Sequence, residues 1–138
     1  MMKIVVRNIL AIVVGWIIGS AVNMGLIQLG YALIPLEGID PSDMDSLAQI
    51  MPTLDAHYFI FPFLGHALGT FVGALTAALL AVNHKIKFAL AIGFLFSLGG
   101  IAVNMMLPGP LWFTITDLLL AYIPMAWFGG TLALRLSK

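Results

Sequence analysis

Four long apolar runs leave this chain few ways to fold. They extend from Ile4 to Ile34, His57 to Val82, Phe88 to Leu107 and Trp112 to Leu136. Each meets the roughly 20 residues that a helix needs to cross a bilayer core. Hydrophobic residues make up 62% of the 138 residues and charged residues only 9%, against about 25% charged in a soluble domain. So little polar surface cannot cover a soluble core, and lipid is the expected solvent. The expected fold class is an all-α membrane protein, one integral domain over residues 1–138, with four transmembrane helices in a bundle.

The charges orient that bundle. Lys3 and Arg7 stand at the start of the first run, Lys85 and Lys87 between the second and third, and Arg135 and Lys138 at the end of the fourth. Glu37, Asp40, Asp43, Asp45 and Asp55 share the one long loop, residues 35–56. Lys and Arg near span ends stay cytoplasmic, so both termini are expected inside a bacterial inner membrane and the acidic loop outside. Gly19-Ser20-Ala21 imitates a signal-peptide cleavage site. The apolar run continues unbroken to Ile34, so a retained helix is expected.

The acidic loop carries its own helix pattern. Asp40 is a candidate N-cap with Pro41 at the first helical position. Met44, Leu47, Ala48 and Met51 recur at helical spacing before Pro52, which predicts a short amphipathic helix on the outer face. Small residues mark the faces of the spans. Gly65, Gly69, Gly73, Ala77 and Ala81 fall every fourth position, and Ala11, Gly15 and Gly19 repeat the theme. Gly93, Ser97, Gly100 and Asn104 share a face of the third run. Such ridges let helix backbones approach closely in lipid, within one chain, in a homo-oligomer or against a partner membrane protein. Ala21-Val22-Asn23-Met24 and Ala102-Val103-Asn104-Met105 hint at a duplicated hairpin.

Polar groups inside spans are the candidates for function. They are His66, Asp117, Asn104 and Asn23, all in the halves of the spans nearer the acidic loop. That distribution resembles a cavity open to the outside rather than a continuous polar path. Structural readings stand beside each. Asp117 ends a Thr114-Ile115-Thr116-Asp117 capping-box pattern, so it is either a helix cap or a functional carboxylate. His66 is either a satisfied imidazole on the glycine ridge or, facing Asp117 across the bundle, half of an ion pair or proton-sharing pair. Asn23 and Asn104 are either interhelical glue or ligand contacts. Pro124 lacks an N–H and frees the carbonyl of Leu120, a candidate kink or hinge.

Other functions are disfavoured. The chain has no cysteine, so thiolate metal sites and cysteine nucleophiles are excluded. No histidine-rich metal motif, nucleophile elbow or phosphate loop is present, and no metal or cofactor is expected. Scattered basic residues form no nucleic-acid patch. The leading expectation is a small protein that binds or moves a small or lipidic molecule through an outward-facing pocket. The alternative is a structural or accessory subunit that docks partners through its glycine-rich helix faces, without transport or catalysis.

Several segments carry a resemblance. They are Gly38-Ile39-Asp40-Pro41-Ser42-Asp43, the Gly69 to Gly73 ridge, Pro108-Gly109-Pro110-Leu111-Trp112-Phe113, and Pro124 with Gly129-Gly130. Together they resemble a family of small, uncharacterised four-helix integral membrane proteins of bacteria. The resemblance implies the fold and transfers no activity. It also implies an acid and a histidine near the outer end of the first helix, where this chain has Ile27 and Tyr31.

Overall fold

The apolar runs all become helices, because a chain with so few polar side chains satisfies its backbone most readily within each segment. A computed structural model describes the chain from Met1 to Lys138. In order the elements are α1 (Met2–Leu33), α2 (Met44–Ile50), α3 (Ile60–Leu80), α4 (Lys85–Met106), α5 (Leu111–Leu120) and α6 (Ile123–Leu136). Two short 3₁₀ turns, Met51–Thr53 and Ala56–Phe59, lead into α3, and there are no strands. Four helical segments are long and apolar enough to cross a membrane: Met2–Leu33, Ala56–Leu80, Lys85–Met106 and Leu111–Leu136.

The burial pattern is the reverse of a soluble protein. The core is mostly small side chains such as Ala74, Ala77, Ala78, Ala89, Ala126 and Ala133, with Ile92, Phe96 and Tyr122 among them. Trp16, Phe94, Leu119, Trp127 and Phe128 stand exposed on the surface. A continuous apolar exterior over a small-residue core is what lipid-facing helices require, since close packing replaces the hydrophobic drive between them.

Helix α3 is the centre, packed against α1, α4 and α6. Its contact with α1 depends on glycine. A Cβ on Gly19 would lie 2.6 Å from the carbonyl oxygen of Gly69, and one on Gly69 would lie 2.8 Å from that of Gly19. Gly15 sits against Gly73 and Ala77 in the same seam, and Gly65 against Asn23. On the opposite side Gly129 of α6 lies against the backbone of Phe71, and Gly93 of α4 against Ala126.

The basic end of the bundle is more specific than the sequence implies. The charges there read as interchangeable anchors, yet two of them cap α3. Lys85 Nζ donates to the carbonyls of Ala78, Leu79 and Ala81, and Arg7 Nε to that of Leu80. These are the orphan carbonyls of a helix C-terminus, where cations are favoured. Asn8 ties down the following turn, accepting from the Val82 amide and donating to Asn83. His84 completes that turn at φ 47°, the left-handed region.

At the acidic end, α2 starts later than the sequence predicts. Asp43, not Asp40, is the N-cap, and its carboxylate accepts from the Ser46 amide and hydroxyl. Both bonds hold the Asp43 carboxyl below its ordinary value, the hydroxyl bond more strongly. Asp40 instead closes a turn with Ser42, whose amide and then hydroxyl depress its carboxyl likewise. Pro52 falls just beyond α2, as expected, inside the 3₁₀ turn that follows it. Leu47 of α2 is buried against the bundle.

The fourth span is broken. Helix α5 stops at Leu120 and α6 begins at Ile123, with Tyr122 at φ −113° and ψ −81° between them. Pro124 explains the break, because it cannot donate to the Leu120 carbonyl and its ring crowds that group.

Candidate functional site

The broken span sets up a buried polar cluster in the middle of apolar helices. In an unbroken helix, residues five apart point roughly 140° away from each other. The Ala121–Tyr122 break cancels that divergence, so the Tyr122 hydroxyl reaches back to donate to Asp117 Oδ2 at 2.9 Å. From α3, His66 Nδ1 meets Asp117 Oδ1 at 2.8 Å and Oδ2 at 2.9 Å. The His66 and Tyr122 rings stack with centroids 5.8 Å apart. Asp117 is 0% exposed, Tyr122 1% and His66 8%.

Room for this cluster comes from α4. A Cβ on Gly100 would strike the hydroxyl and ring of Tyr122, so only glycine lets the phenol lie where it does. The capping alternative for Asp117 does not hold. Helix α5 begins at Leu111 behind Pro110, which leaves Asp117 well inside the helix, and its carboxylate bonds only His66 and Tyr122. Thr114 bonds Asn104 rather than completing a box.

Above His66, toward the acidic loop, lies a cavity of about 110 Å3. Twelve of its 16 lining residues are hydrophobic, so it suits an apolar guest. Ile34, Leu36, Leu47, Met51 and Leu54 close its loop side, and Phe61, Val103, Leu107 and Phe113 its helical sides. His66 and Asn104 are the polar exceptions, and Tyr31 and Tyr58 add hydroxyls to the apolar wall. His66 Nδ1 is engaged by Asp117, whereas Nε2 has no protein partner and is not among the sealed, unpaired atoms of the chain. Nε2 is thus the free ring nitrogen of a residue that lines the cavity, and the other nitrogen is fixed by a buried carboxylate.

Of the four candidates named from sequence, the structure gathers three. His66 and Asp117 touch, and Asn104 lines the same cavity as His66. The polar groups of Asn104 are already used, Nδ2 donating to the Gly100 carbonyl and Oδ1 accepting from Thr114. Asn23 lies elsewhere, against Gly65 and Gly69, with its Oδ1 buried and unpaired. The two asparagines of the apparent repeat thus have unlike surroundings. Tyr122 was missed by sequence reasoning. Its signal was a tyrosine inside an apolar run, two residues before Pro124, since a buried phenol needs a partner. Ile27 and Tyr31, where the resemblance implied an acid and a histidine, both line the cavity. No third His, Asp, Glu or Cys joins His66 and Asp117 in a metal-holding group.

The fold and site together define a helical bundle with four candidate membrane spans and a buried histidine–aspartate pair beneath an apolar cavity. Comparison with protein-family models, with curated proteins and with solved structures finds no match. The functional reading rests on the geometry of the site.

Proposed function

We propose that this chain is a polytopic inner-membrane protein, both termini cytoplasmic, that binds a small or lipidic molecule in the cavity under its acidic loop. The observation that carries the reading is an apolar cavity of about 110 Å3 ending on an imidazole whose other nitrogen is held by a fully buried carboxylate. Apolar walls with a few convergent polar groups are the ordinary form of a small-molecule site. Buried ionisable groups in lipid-facing bundles are expensive to keep and generally functional. The partition of basic and acidic residues supports the orientation, which places the cavity in the outer leaflet.

The packing of the α1–α3 glycines favours this reading over an accessory subunit that docks partners through those faces. Gly15, Gly19, Gly65, Gly69 and Gly73 are buried within the chain, between α1 and α3. They are not free to dock a partner.

Native mass spectrometry of protein released from lipid nanodiscs tests the proposal and reads oligomeric state, for which a homo-oligomer is our expectation. The wild type should retain a bound small molecule or lipid, and Val103→Trp, which fills the cavity from α4, should lose it. Equal retention by both proteins would place the adduct outside the cavity and refute the reading.

A further inference from the structure

The chemistry of the ligand's head follows from counting protons. Asp117 has no exposure, and its only partners are His66 Nδ1 and the Tyr122 hydroxyl. No lysine or arginine compensates it. The pair with His66 is the only salt bridge in the chain, and Lys85 is bound to Ala78 and its neighbours, roughly 18 Å along α3 from His66. An uncompensated carboxylate in such surroundings is strongly disfavoured. Neutrality of the pair requires two protons on it. They make either carboxylate with imidazolium, or carboxylic acid donating to Nδ1 of a neutral imidazole. In both forms Nε2 carries a hydrogen. With the Tyr122 hydroxyl donating to Oδ2, a bare Nε2 requires either the net-negative pair or a carboxyl proton with no acceptor.

The cavity therefore receives an N–H donor with no acceptor in the protein. Asn104 Oδ1, lining the same cavity, is already accepting from Thr114. A guest that fills the cavity shuts that donor off from water, and a sealed donor left unpaired is costly, so the guest should supply the acceptor. It should also be neutral, because the pair is already compensated and no Lys or Arg lines the cavity. A volume of about 110 Å3 is smaller than the roughly 150 Å3 cavity that takes benzene. It suits a head group and a few carbons, the remainder lying beyond the incompletely enclosed mouth.

We propose that the cavity takes a neutral carbonyl group on an apolar body, an ester or a ketone, with its oxygen hydrogen-bonded to Nε2–H of His66. This rests on the pocket reading above and adds the ligand class. The carbonyl comes either from a bilayer lipid ester or from a free carbonyl compound dissolved in the membrane.

The test is the Nε2–H resonance of His66 in full-length protein labelled with ¹⁵N-histidine. The protein is held in nanodiscs of ether-linked phosphatidylcholine, which has no carbonyl. The resonance is assigned by its absence from His66→Gln. 2-Nonanone, 2-nonanol and nonanoate are titrated separately. The ketone should shift the resonance saturably, with the alcohol and the anion each needing about tenfold more. The alcohol would bring a hydroxyl proton for which His66 offers no acceptor, and the anion an uncompensated charge. Exchange into ester-linked phosphatidylcholine separates the sources. A shift without added probe identifies the lipid ester, and no shift, with the ketone still binding, identifies a free compound. Nε2 found without a hydrogen overturns the proposal, as does alcohol or anion binding as tightly as the ketone; the pocket reading survives both. No response to any of the three overturns the pocket reading itself.

Discussion

If His66 and Asp117 form one buried unit, removing either alone should be far worse than removing both. His66→Leu leaves the carboxylate of Asp117, 0% exposed, with the Tyr122 hydroxyl at 2.9 Å as its sole partner. Breaking a buried pair in this way costs about 3–5 kcal/mol. Asp117→Leu strands Nδ1 of His66 and the Tyr122 hydroxyl, two buried donors, for about 2–4 kcal/mol. The double variant carries no charge and leaves only the hydroxyl unpaired, about 1–3 kcal/mol. Mid-range figures put the coupling at about 5 kcal/mol, above the roughly 0.5–3 kcal/mol usual for residues in one network. Tyr122→Phe removes a single bond and should cost about 0.6–1.7 kcal/mol, the range for interhelical hydrogen bonds in membranes. Reversible unfolding by dodecyl sulfate titration in mixed micelles, followed by far-ultraviolet circular dichroism, measures all four. Single effects that add to within about 0.5 kcal/mol would refute the pairing as an energetic unit.

Three further outcomes follow from other parts of the molecule. Gly100→Val should destabilise by about 1–3 kcal/mol or more through overpacking against Tyr122, while Gly99→Val, whose Cβ meets nothing within 4 Å, should stay within about 0.5 kcal/mol; the same titration compares them. The Asp43 carboxyl is held below its ordinary value by Ser46, so the stabilisation it gives α2 is complete at neutral pH and is lost as pH falls below about 4, through the lowered folded value. Hydrogen exchange at the Ser46 amide, corrected for intrinsic rate, should show that loss of protection. A reporter fused after Lys138 should be active only in its cytoplasmic form, and moving the Lys85–Lys87 charges into the acidic loop should reduce that bias.

The spans were legible because each is a continuous apolar run bounded by proline, glycine or charge, and the four helical segments follow those runs closely. Pro124 also marked where the fourth would break. What that break does was not legible. Periodicity assigns a residue to a face of its own helix, and the Ala121–Tyr122 irregularity moves Tyr122 off the face that periodicity assigns. Nor does periodicity say which faces meet. Asn23 and His66 both lie near the glycine seam, yet His66 turns toward α5 and the cavity while Asn23 is trapped between α1 and α3. Asp117 matched a cap motif because Thr114 stands three residues before it. The helix starts earlier, at Leu111, with Pro110 as its N-cap and the Pro110 carbonyl accepting from the amides of Phe113 and Thr114. Lys85 and Arg7 read as generic anchors, since only the folded chain brings the α3 carbonyls to them.

The central claim is that the cavity over His66, and not the lipid-facing exterior, is where this protein holds a ligand. A long-chain ester carrying a diazirine beside its carbonyl, photolysed in membranes containing the protein, tests this most directly. Peptide mapping should place saturable adducts on cavity residues such as Tyr31, Tyr58, His66 and Val103. Labelling spread over Trp16, Phe94 and Leu119 on the exposed faces, with no saturable adduct in the cavity, would contradict the account.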